Sequence, residues 1–198
     1  MKIYKYKAAM PSTRIQHILS SSEFHFASWR TLNDPMEGYF RYYDSDHSPD
    51  ELRRIVQGKD AHKVCCFSLA DDEMLLWTHY ASNHTGVCIE VDTDDARSAE
   101  VTFEAIKYQA RIPWLRRDDN MIRSARDILS TKISKWRYER AILAFSRGPN
   151  DSYKVGRITR IILGIRVDAA LKELVERSAR GVPVIQAKLE LETNSIVS

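Results

Sequence analysis

The chain has 198 residues, 43% of them hydrophobic and 29% charged, and a formal net charge of +3. These values are typical of a soluble globular protein, and the length fits a single domain over residues 1–198. No apolar run approaches the roughly 20 residues that cross a bilayer, which excludes a membrane-spanning helix. The first residues lack the apolar core of a signal peptide, so we expect a cytoplasmic location.

Short strand-like and helix-like patterns alternate along the chain. Apolar alternation and β-branched runs predict strands at 3–7, 24–27, 64–69, 87–91, 101–108, 140–145, 157–165 and 183–192. Helical spacing and capping residues predict helices at 12–21, 48–58, 72–81, 119–136 and 168–179. Ser48 and Asp168 are the expected N-caps, and Gly58 is expected to end the second helix.

Several of these strands follow one another without an intervening helix. This order departs from the strict strand–helix rhythm that builds a parallel sheet. The sequence therefore predicts an α+β fold of mixed, mostly antiparallel sheets with helices packed on their faces. The three cysteines, Cys65, Cys66 and Cys88, have no spacing typical of zinc sites or disulfides, and we expect them to be buried thiols.

The segment from Asn33 to Glu37 places polar residues around a proline. Asp34 before Pro35, with Glu37 three residues after Asp34, is the spacing of a helix capping box. A loop of this kind also presents amides and a carboxylate to sugar hydroxyls of a ligand. Both interpretations are compatible, so Asn33, Asp34 and Glu37 are candidate ligand-binding residues.

A second polar–aromatic segment runs from Trp77 to Tyr80. These two rings are three residues apart and share a helix face, so they belong either to the core or to a surface that stacks a base or a nicotinamide ring. His79 and His84 lack the spacing of a metal-binding pair on a helix. The sequence therefore gives only a signal of low specificity for a metal site in this segment, and no metal ligand is assigned.

Glu139 ends the stretch Trp136-Arg137-Tyr138-Glu139, where the predicted helix meets a strand. Lys132, Lys135, Arg137 and Arg140 are its basic neighbours in sequence. A carboxylate in such surroundings either forms an ion pair that positions the helix or stabilises positive charge on a sugar carbon during cleavage of a glycosidic bond. Glu139 is the candidate catalytic residue.

Several short motifs occur in an order that resembles a known group of proteins. They are Tyr4-Lys5-Tyr6, Asn33-Asp34-Pro35-Met36-Glu37, Cys66-Phe67-Ser68, Trp77 to Tyr80, Gly86 to Glu90 and Lys132 to Glu139. Together, as NDPxE, WxxYA…GVxIE and WxYE motifs, they resemble an uncharacterised bacterial domain family often found near phage-defence and toxin genes. At a distance, the strand order and the late Glu resemble the ADP-ribosyltransferase fold.

This resemblance implies NAD as cofactor, bound in a cleft between two small sheets. Glu139 would contact the nicotinamide ribose, Tyr6 would lie near the cofactor on the first strand, and Tyr80 would stack on nicotinamide. The chain departs from the family pattern at Ala141 and Leu143, where a second Glu and an Arg are usual. It also has Arg137 where toxin-type ADP-ribosyltransferases often carry another Glu.

Three functions are consistent with these residues. The first is an NAD-dependent ADP-ribosyltransferase acting as an intracellular toxin or phage-defence effector. Its acceptor would be RNA, DNA or a protein, favoured by the 14 Lys/Arg against 6 Asp/Glu in residues 101–160. The second is a metal-dependent nuclease or nucleic-acid-binding protein in which Glu37, Glu90 and Glu139 gather around a metal ion. The third is a catalytically degenerate sensor or immunity protein.

Overall fold

The computed structural model describes residues 1–94, 100–115, 121–190 and 195–197. Its strands are β1 (Lys2–Lys7), β2 (Glu23–His25), β3 (Ala27–Ser28), β4 (Lys63–Ser68), β5 (Val87–Asp92), β6 (Val101–Ala105), β7 (Lys107–Gln109), β8 (Thr131–Ile133), β9 (Ala141–Ser146), β10 (Ser152–Lys154), β11 (Arg157–Leu163), β12 (Val184–Gln186), β13 (Lys188–Glu190) and β14 (Ser195–Val197). Its α-helices are α1 (Thr13–Ser21), α2 (Pro49–Asp60), α3 (Met74–Tyr80), α4 (Met121–Leu129) and α5 (Ala169–Ser178), and 3₁₀ turns span Trp29–Thr31 and Ser134–Glu139.

The main sheet has eight strands and is almost entirely antiparallel. Seven strands follow the order β12-β11-β5-β1-β4-β9-β6, and β3 pairs with β4 beside this path. Only the β11–β12 pair of this sheet is parallel. Three two-stranded ladders, β10-β2, β13-β14 and β7-β8, complete the described strands. The predicted α+β class with mixed, mostly antiparallel sheets is confirmed.

The sheet opens between β1 and β4. Strand β1 pairs with β5 along its whole length, and β4 pairs with β9 along its whole length. Between β1 and β4, by contrast, the only register pair is Tyr4 with Ser68. Strand β3 then pairs with the same edge of β4, at Val64 and Lys63. The strands therefore diverge along Lys5–Lys7, and a gap is left beside the middle of β4.

Helices cover both faces of the main sheet. On one face, α1 and α5 bury Ile15, Ile18 and Leu171 against strand residues such as Ile89 and Phe67. On the opposite face, α3 packs Leu76 and Trp77 against Tyr6 and Cys88. These apolar contacts supply most of the driving force for folding and fix where α3 lies relative to β1.

Several predicted helix boundaries are confirmed. Ser48 and Glu51 form the reciprocal capping box at the start of α2, and the Asp168 side chain accepts a 2.7 Å hydrogen bond from the Leu171 amide at the start of α5. Gly58 does not end α2, which continues to Asp60, since the amide of Ala61 still bonds the carbonyl of Gln57.

Two predicted helices are wrong in part. The helix expected over 119–136 ends at Leu129, and the chain continues as β8 and a 3₁₀ turn; residues 119 and 120 lie outside the described part. The capping box expected at Asp34–Glu37 starts no helix. Instead, the Asp34 carboxylate accepts a 2.8 Å hydrogen bond from the Met36 amide, and the Glu37 amide donates to the Asp34 carbonyl, which closes a turn.

The strand predicted over 101–108 is divided into β6 and β7, and the strand predicted over 183–192 is divided into β12 and β13, with residues 191 and 192 outside the described part.

Cys65, Cys66 and Cys88 are free thiols, as expected. Among the described residues, no helix is both long enough and apolar enough to cross a membrane.

Candidate functional site

Glu139 lies at the junction between the 3₁₀ turn and β9. Only 4% of the Glu139 surface is exposed, and its backbone carbonyl accepts a 2.8 Å hydrogen bond from the Ser68 hydroxyl on β4. The next residue, Arg140, has a φ of 43°, a left-handed conformation that reverses the chain into β9. Glu139 is therefore fixed by its backbone from both sides, and its carboxylate faces the interior.

Lys132 bridges two buried carboxylates. Its Nζ lies 2.7 Å from Oε2 of Glu139 and 2.7 Å from Oε1 of Glu37. The side chains of all three residues are at most 5% exposed. The two carboxylate oxygens can therefore be no farther apart than twice the ion-pair distance, and one ammonium neutralises part of the charge of both.

Tyr80 holds the second oxygen of Glu139. The Tyr80 hydroxyl donates a 2.5 Å hydrogen bond to Oε1 of Glu139, and the side-chain amide of Asn33 donates to the Tyr80 hydroxyl at 3.4 Å. Burial raises the pKa of Tyr80, and the charge of Glu139 raises it further. Tyr80 therefore stays a hydrogen-bond donor at any physiological pH.

The pKa values of the buried ion pair follow from opposing effects. Burial is the largest influence on Glu37 and raises its pKa above the ordinary 4.5, although the positive charge of Lys132 opposes this. Burial lowers the pKa of Lys132, but Cys66, Glu37 and Glu139 together outweigh it, so the pKa of Lys132 is raised. Lys132 is therefore a permanent cation.

These side chains form the wall of a cleft of about 250 Å³ that opens where β1 and β4 diverge. Its lining includes Tyr6, Asn33, Glu37, Tyr80, Lys132 and Glu139. The structure thus brings together five of the residues singled out from the sequence, from four separate segments. A cleft in which buried charged groups converge with apolar walls is the usual setting of a ligand site.

Trp77 and Asp34 do not line this cleft. Trp77 is fully buried: its ring packs edge-to-face on Tyr6 at 5.2 Å and stacks with His84 at 6.3 Å, and its indole N–H donates to the Asp71 carbonyl. No face of the indole is therefore open to a ligand. Asp34 shapes the turn that carries Glu37, so its contribution is structural.

The loop that carries Glu37 is anchored by a buried lysine. The ammonium of Lys59 donates a 2.6 Å hydrogen bond to the Gly38 carbonyl and lies 3.9 Å from the centre of the Trp29 ring. Burial lowers the pKa of Lys59 to about 8. This anchor ties α2 to the loop and keeps the carboxylate of Glu37 close to Lys132.

The three carboxylates expected to gather around a metal ion are separated. Glu90 is buried elsewhere on the sheet, where it accepts hydrogen bonds from Arg160 at 2.8 and 3.1 Å and from Thr159 at 2.7 Å. Among the described residues, no group of three or more His, Cys, Asp or Glu side chains is arranged to hold a metal ion. The proposed grouping of Glu37, Glu90 and Glu139 is therefore wrong.

The basic residues of segment 101–160 are partly neutralised. Lys107, Arg126, Lys132 and Arg160 each form an ion pair with a carboxylate of the protein. Attraction of a polyanion to this segment would depend on its other cations, two of which, Arg116 and Arg117, lie outside the described residues.

Two participants were not identified as site residues from the sequence. The sequence presents Lys132 as one of several basic neighbours of Glu139, because the expected helix places it on a solvated face. Ser68 is part of the Cys66-Phe67-Ser68 motif, but the motif does not indicate its role, since its hydroxyl meets the Glu139 carbonyl only when β4 and β9 pair. The seven-residue spacing from Lys132 to Glu139 is compatible with contact in many conformations.

Comparison with known proteins identifies one family. Residues 76–142 match the family described as "Protein of unknown function (DUF2971)". The match includes Tyr80, Lys132 and Glu139, and it confirms the resemblance to an uncharacterised domain family for this segment. No curated protein and no solved structure gives a significant match to the chain. The match carries no activity, and the resemblance to ADP-ribosyltransferases stays a prediction.

Proposed function

We propose that the cleft binds NAD and that Glu139 promotes cleavage of the bond between nicotinamide and ribose, with transfer of ADP-ribose to an acceptor. The observation that carries this proposal is the fixed carboxylate of Glu139, held by Tyr80 at one oxygen and by Lys132 at the other. A carboxylate held in this way needs no reorganisation when positive charge develops beside it.

The proposed chemistry breaks one bond and forms one. The C–N bond to nicotinamide breaks, and its electron pair leaves with the nicotinamide nitrogen, which was cationic and becomes neutral. The ribose carbon becomes electron-deficient, and the negative charge of Glu139 stabilises it. The acceptor then bonds to this carbon and releases a proton. Glu37, whose pKa is raised by burial, is the proposed proton acceptor.

The remaining roles follow from position. Asn33 and Tyr80 contact each other at the cleft wall beside Glu139 and are proposed to orient the ribose hydroxyls. Tyr6 forms part of the wall on β1, with its hydroxyl already donated to the Ala70 carbonyl, so only its ring is proposed to contact the cofactor. Trp77 has no part in the proposed site.

The acceptor and the physiological role are proposed on sequence grounds alone. RNA, DNA or a protein acceptor would approach through the basic segment 101–160. A role as a cytoplasmic toxin or phage-defence effector is based on the family resemblance described above.

The test compares the wild-type protein with Glu139→Gln and a matched control, Glu176→Gln. Glu176 is exposed on α5, and no residue of this helix lines the cleft. Each protein is incubated with NAD labelled in its adenylate phosphate, with protein and RNA extracts, and nicotinamide release and label transfer are measured. We expect both activities in the wild type and in Glu176→Gln, and neither in Glu139→Gln, which should still bind NAD by calorimetry. Absence of NAD binding by the wild type, or full activity of Glu139→Gln, would refute the proposal.

A ligand sensor without turnover is the second candidate. It is favoured by Lys132, which engages both carboxylates, and by Ala141 and Leu143, which replace the family's second Glu and Arg. In the same assay, this function predicts NAD binding by the wild type without nicotinamide release.

A further inference from the structure

The cleft has a second, cationic wall that the proposed chemistry does not use. Lys5 and Lys7 alternate along β1 with Tyr4 and Tyr6, so the two lysines lie on the opposite face of the strand from the tyrosines. All four residues line the cleft. The cleft therefore passes through the opening beside β1, with Glu37 and Glu139 on one side and the lysines among the groups on the other.

Within the described part of the chain, no carboxylate forms an ion pair with either lysine. The ammonium of Lys7 has no hydrogen-bond partner there, and the ammonium of Lys5 has one hydrogen bond, to the Cys66 carbonyl at 2.6 Å. That bond leaves two of the three ammonium hydrogens of Lys5 available. Arg14, in the first turn of α1, lies close enough to affect Lys7 electrostatically and is itself exposed. Arg14 thus adds a third positive charge near the two cleft lysines, although it is not among the residues that line the cleft.

The ammonium of Lys5 is held in place by contacts within the sheet. The backbone of Cys66 lies where β1 has left the edge of β4, so its carbonyl has no strand partner there. The ammonium of Lys5 satisfies this carbonyl in place of a backbone N–H. Its stem packs over the sheet, with Nζ 5.3 Å from the centre of the Phe67 ring. A cation fixed by the fold loses little freedom when an anion binds.

The pKa of Lys7 reflects its burial and the crowding of positive charge at this wall. Burial is the main cause that lowers the pKa of Lys7 to about 8, and the charges of Lys5 and Arg14 lower it further. The Cys65 thiol is the one opposing neighbour. Like charges brought together at this cost are common where a protein binds a multiply charged anion, because the anion removes their repulsion.

We propose that Lys5, Lys7 and Arg14 form a subsite for a pyrophosphate group, on the far side of the cleft from Glu139. This subsite extends the proposed function, because it gives the site a substrate class: molecules in which a diphosphate is joined to a ribose. It depends on the proposed function only for the identity of the sugar. A pyrophosphate carries enough charge and oxygen atoms to engage all three cations, whereas a neutral nucleoside does not.

The test uses inorganic pyrophosphate as the probe in calorimetry at pH 7. The variants are Lys7→Gln, the charge-preserving Lys7→Arg, and the control Lys172→Gln, which removes an exposed lysine on α5. We expect Lys7→Gln to weaken pyrophosphate binding at least about tenfold, the loss typical of a hydrogen bond between charged groups. Lys7→Arg and Lys172→Gln should keep affinity within about threefold of the wild type, a change smaller than the loss of one such bond.

A second measurement covers the case in which Lys7→Gln fails to fold. The wild-type protein is treated with an amine-reactive ester, and modification of Lys7 is followed by peptide mass spectrometry with and without pyrophosphate. Protection of Lys7, with Lys172 modified equally in both samples, supports the subsite. No pyrophosphate binding by the wild type, unchanged binding by Lys7→Gln, or no protection of Lys7 overturns it. Nicotinamide release by the wild type would still support the proposed function in that case, and pyrophosphate binding without nicotinamide release would overturn the proposed function alone.

Discussion

The hydroxyl of Tyr80 donates a 2.5 Å hydrogen bond to the carboxylate of Glu139, although the two residues are 59 positions apart in the chain. Tyr80 is the last residue of α3, and Glu139 is the last residue of a 3₁₀ turn. The contact therefore reports how α3 packs on the sheet: any shift of this helix moves the hydrogen bond that orients the proposed catalytic carboxylate.

The change Tyr80→Phe removes this hydrogen bond and keeps the ring. Since hydrogen bonds to charged groups contribute about 1.5–3 kcal/mol, we expect kcat/KM for nicotinamide release to fall about 10- to 100-fold. The control Tyr43→Phe removes a hydroxyl from a ring that is 59% exposed. Steady-state kinetics on the two variants should show a loss only for Tyr80→Phe. Equal rates for both variants would show that Tyr80 does not orient Glu139 during the reaction.

The change Lys132→Met leaves two buried carboxylates without their shared cation. Breaking a buried ion pair from one side typically costs about 3–5 kcal/mol, and we expect a loss of this size in the free energy of unfolding. The control Lys135→Met removes an exposed lysine three residues later and should change stability by less than about 0.5 kcal/mol. Urea unfolding at pH 7 measures both.

The pH dependence of Lys132→Met identifies the cause of its instability. Without the ammonium, burial raises the carboxyl pKa of Glu37 further above 4.5, so the folded state takes up protons more readily than the unfolded state. The missing stability is therefore regained as the pH falls toward 4.5 and lost as it rises. A deficit that stays constant from pH 7 to pH 5 would indicate a packing defect instead.

Much of the sheet could be predicted from local patterns. β9, and β5 apart from Glu90 and Asp92, are runs of mainly apolar and β-branched residues that are buried in the structure, and such runs identify strands without knowledge of their partners. The capping box of Ser48 and Glu51 is equally local, because the two residues bond each other. Such elements can be predicted because the interactions that form them lie within a few residues of each other.

The environment of Glu139 could be predicted only in part, because its causes are distant in sequence. Ile128, Leu129 and Ile133 satisfy helical spacing, yet the chain leaves the helix after Leu129 because residues 131–133 pair with β7. That pairing turns Lys132 inward. The spacing from Asp34 to Glu37 likewise predicts a helix cap, but in the structure the position of Glu37 is determined by its burial beside Lys132. Neither cause is visible in a window of sequence.

The change Gly38→Ala should disturb the loop that carries Glu37. Gly38 has a φ of +77°, and a Cβ there would lie 2.5 Å from Cε3 of the Trp29 ring. The control Gly181→Ala has a similar φ of +84° but meets no atom within 4 Å, so it reports backbone strain alone, about 1–2 kcal/mol. We expect Gly38→Ala to lose more stability than Gly181→Ala and, unlike it, to weaken NAD binding. Thermal unfolding and calorimetry measure the two effects, and equal losses would show that the ring moves aside freely.

The burial of His62 leads us to expect a loss of folding stability at mildly acidic pH. Burial, with the charges of Arg147 and Arg126, lowers the pKa of His62 from 6.5 to about 4, against a smaller opposing effect of Glu104. Because the folded state resists protonation of this group, its contribution is complete above pH 6.5 and is lost as the pH falls toward 4.

The loss at His62 amounts to at most about 3 kcal/mol, given about 1.4 kcal/mol per unit of pKa shift. His62→Gln should flatten the decline in unfolding free energy between pH 6.5 and 4.5, whereas His17→Gln, which changes an exposed residue of α1, should retain it. Urea unfolding at half-unit pH steps measures the slopes. An unchanged slope in His62→Gln would place the acid sensitivity on other groups, with the buried carboxylates around Lys132 as the next to examine.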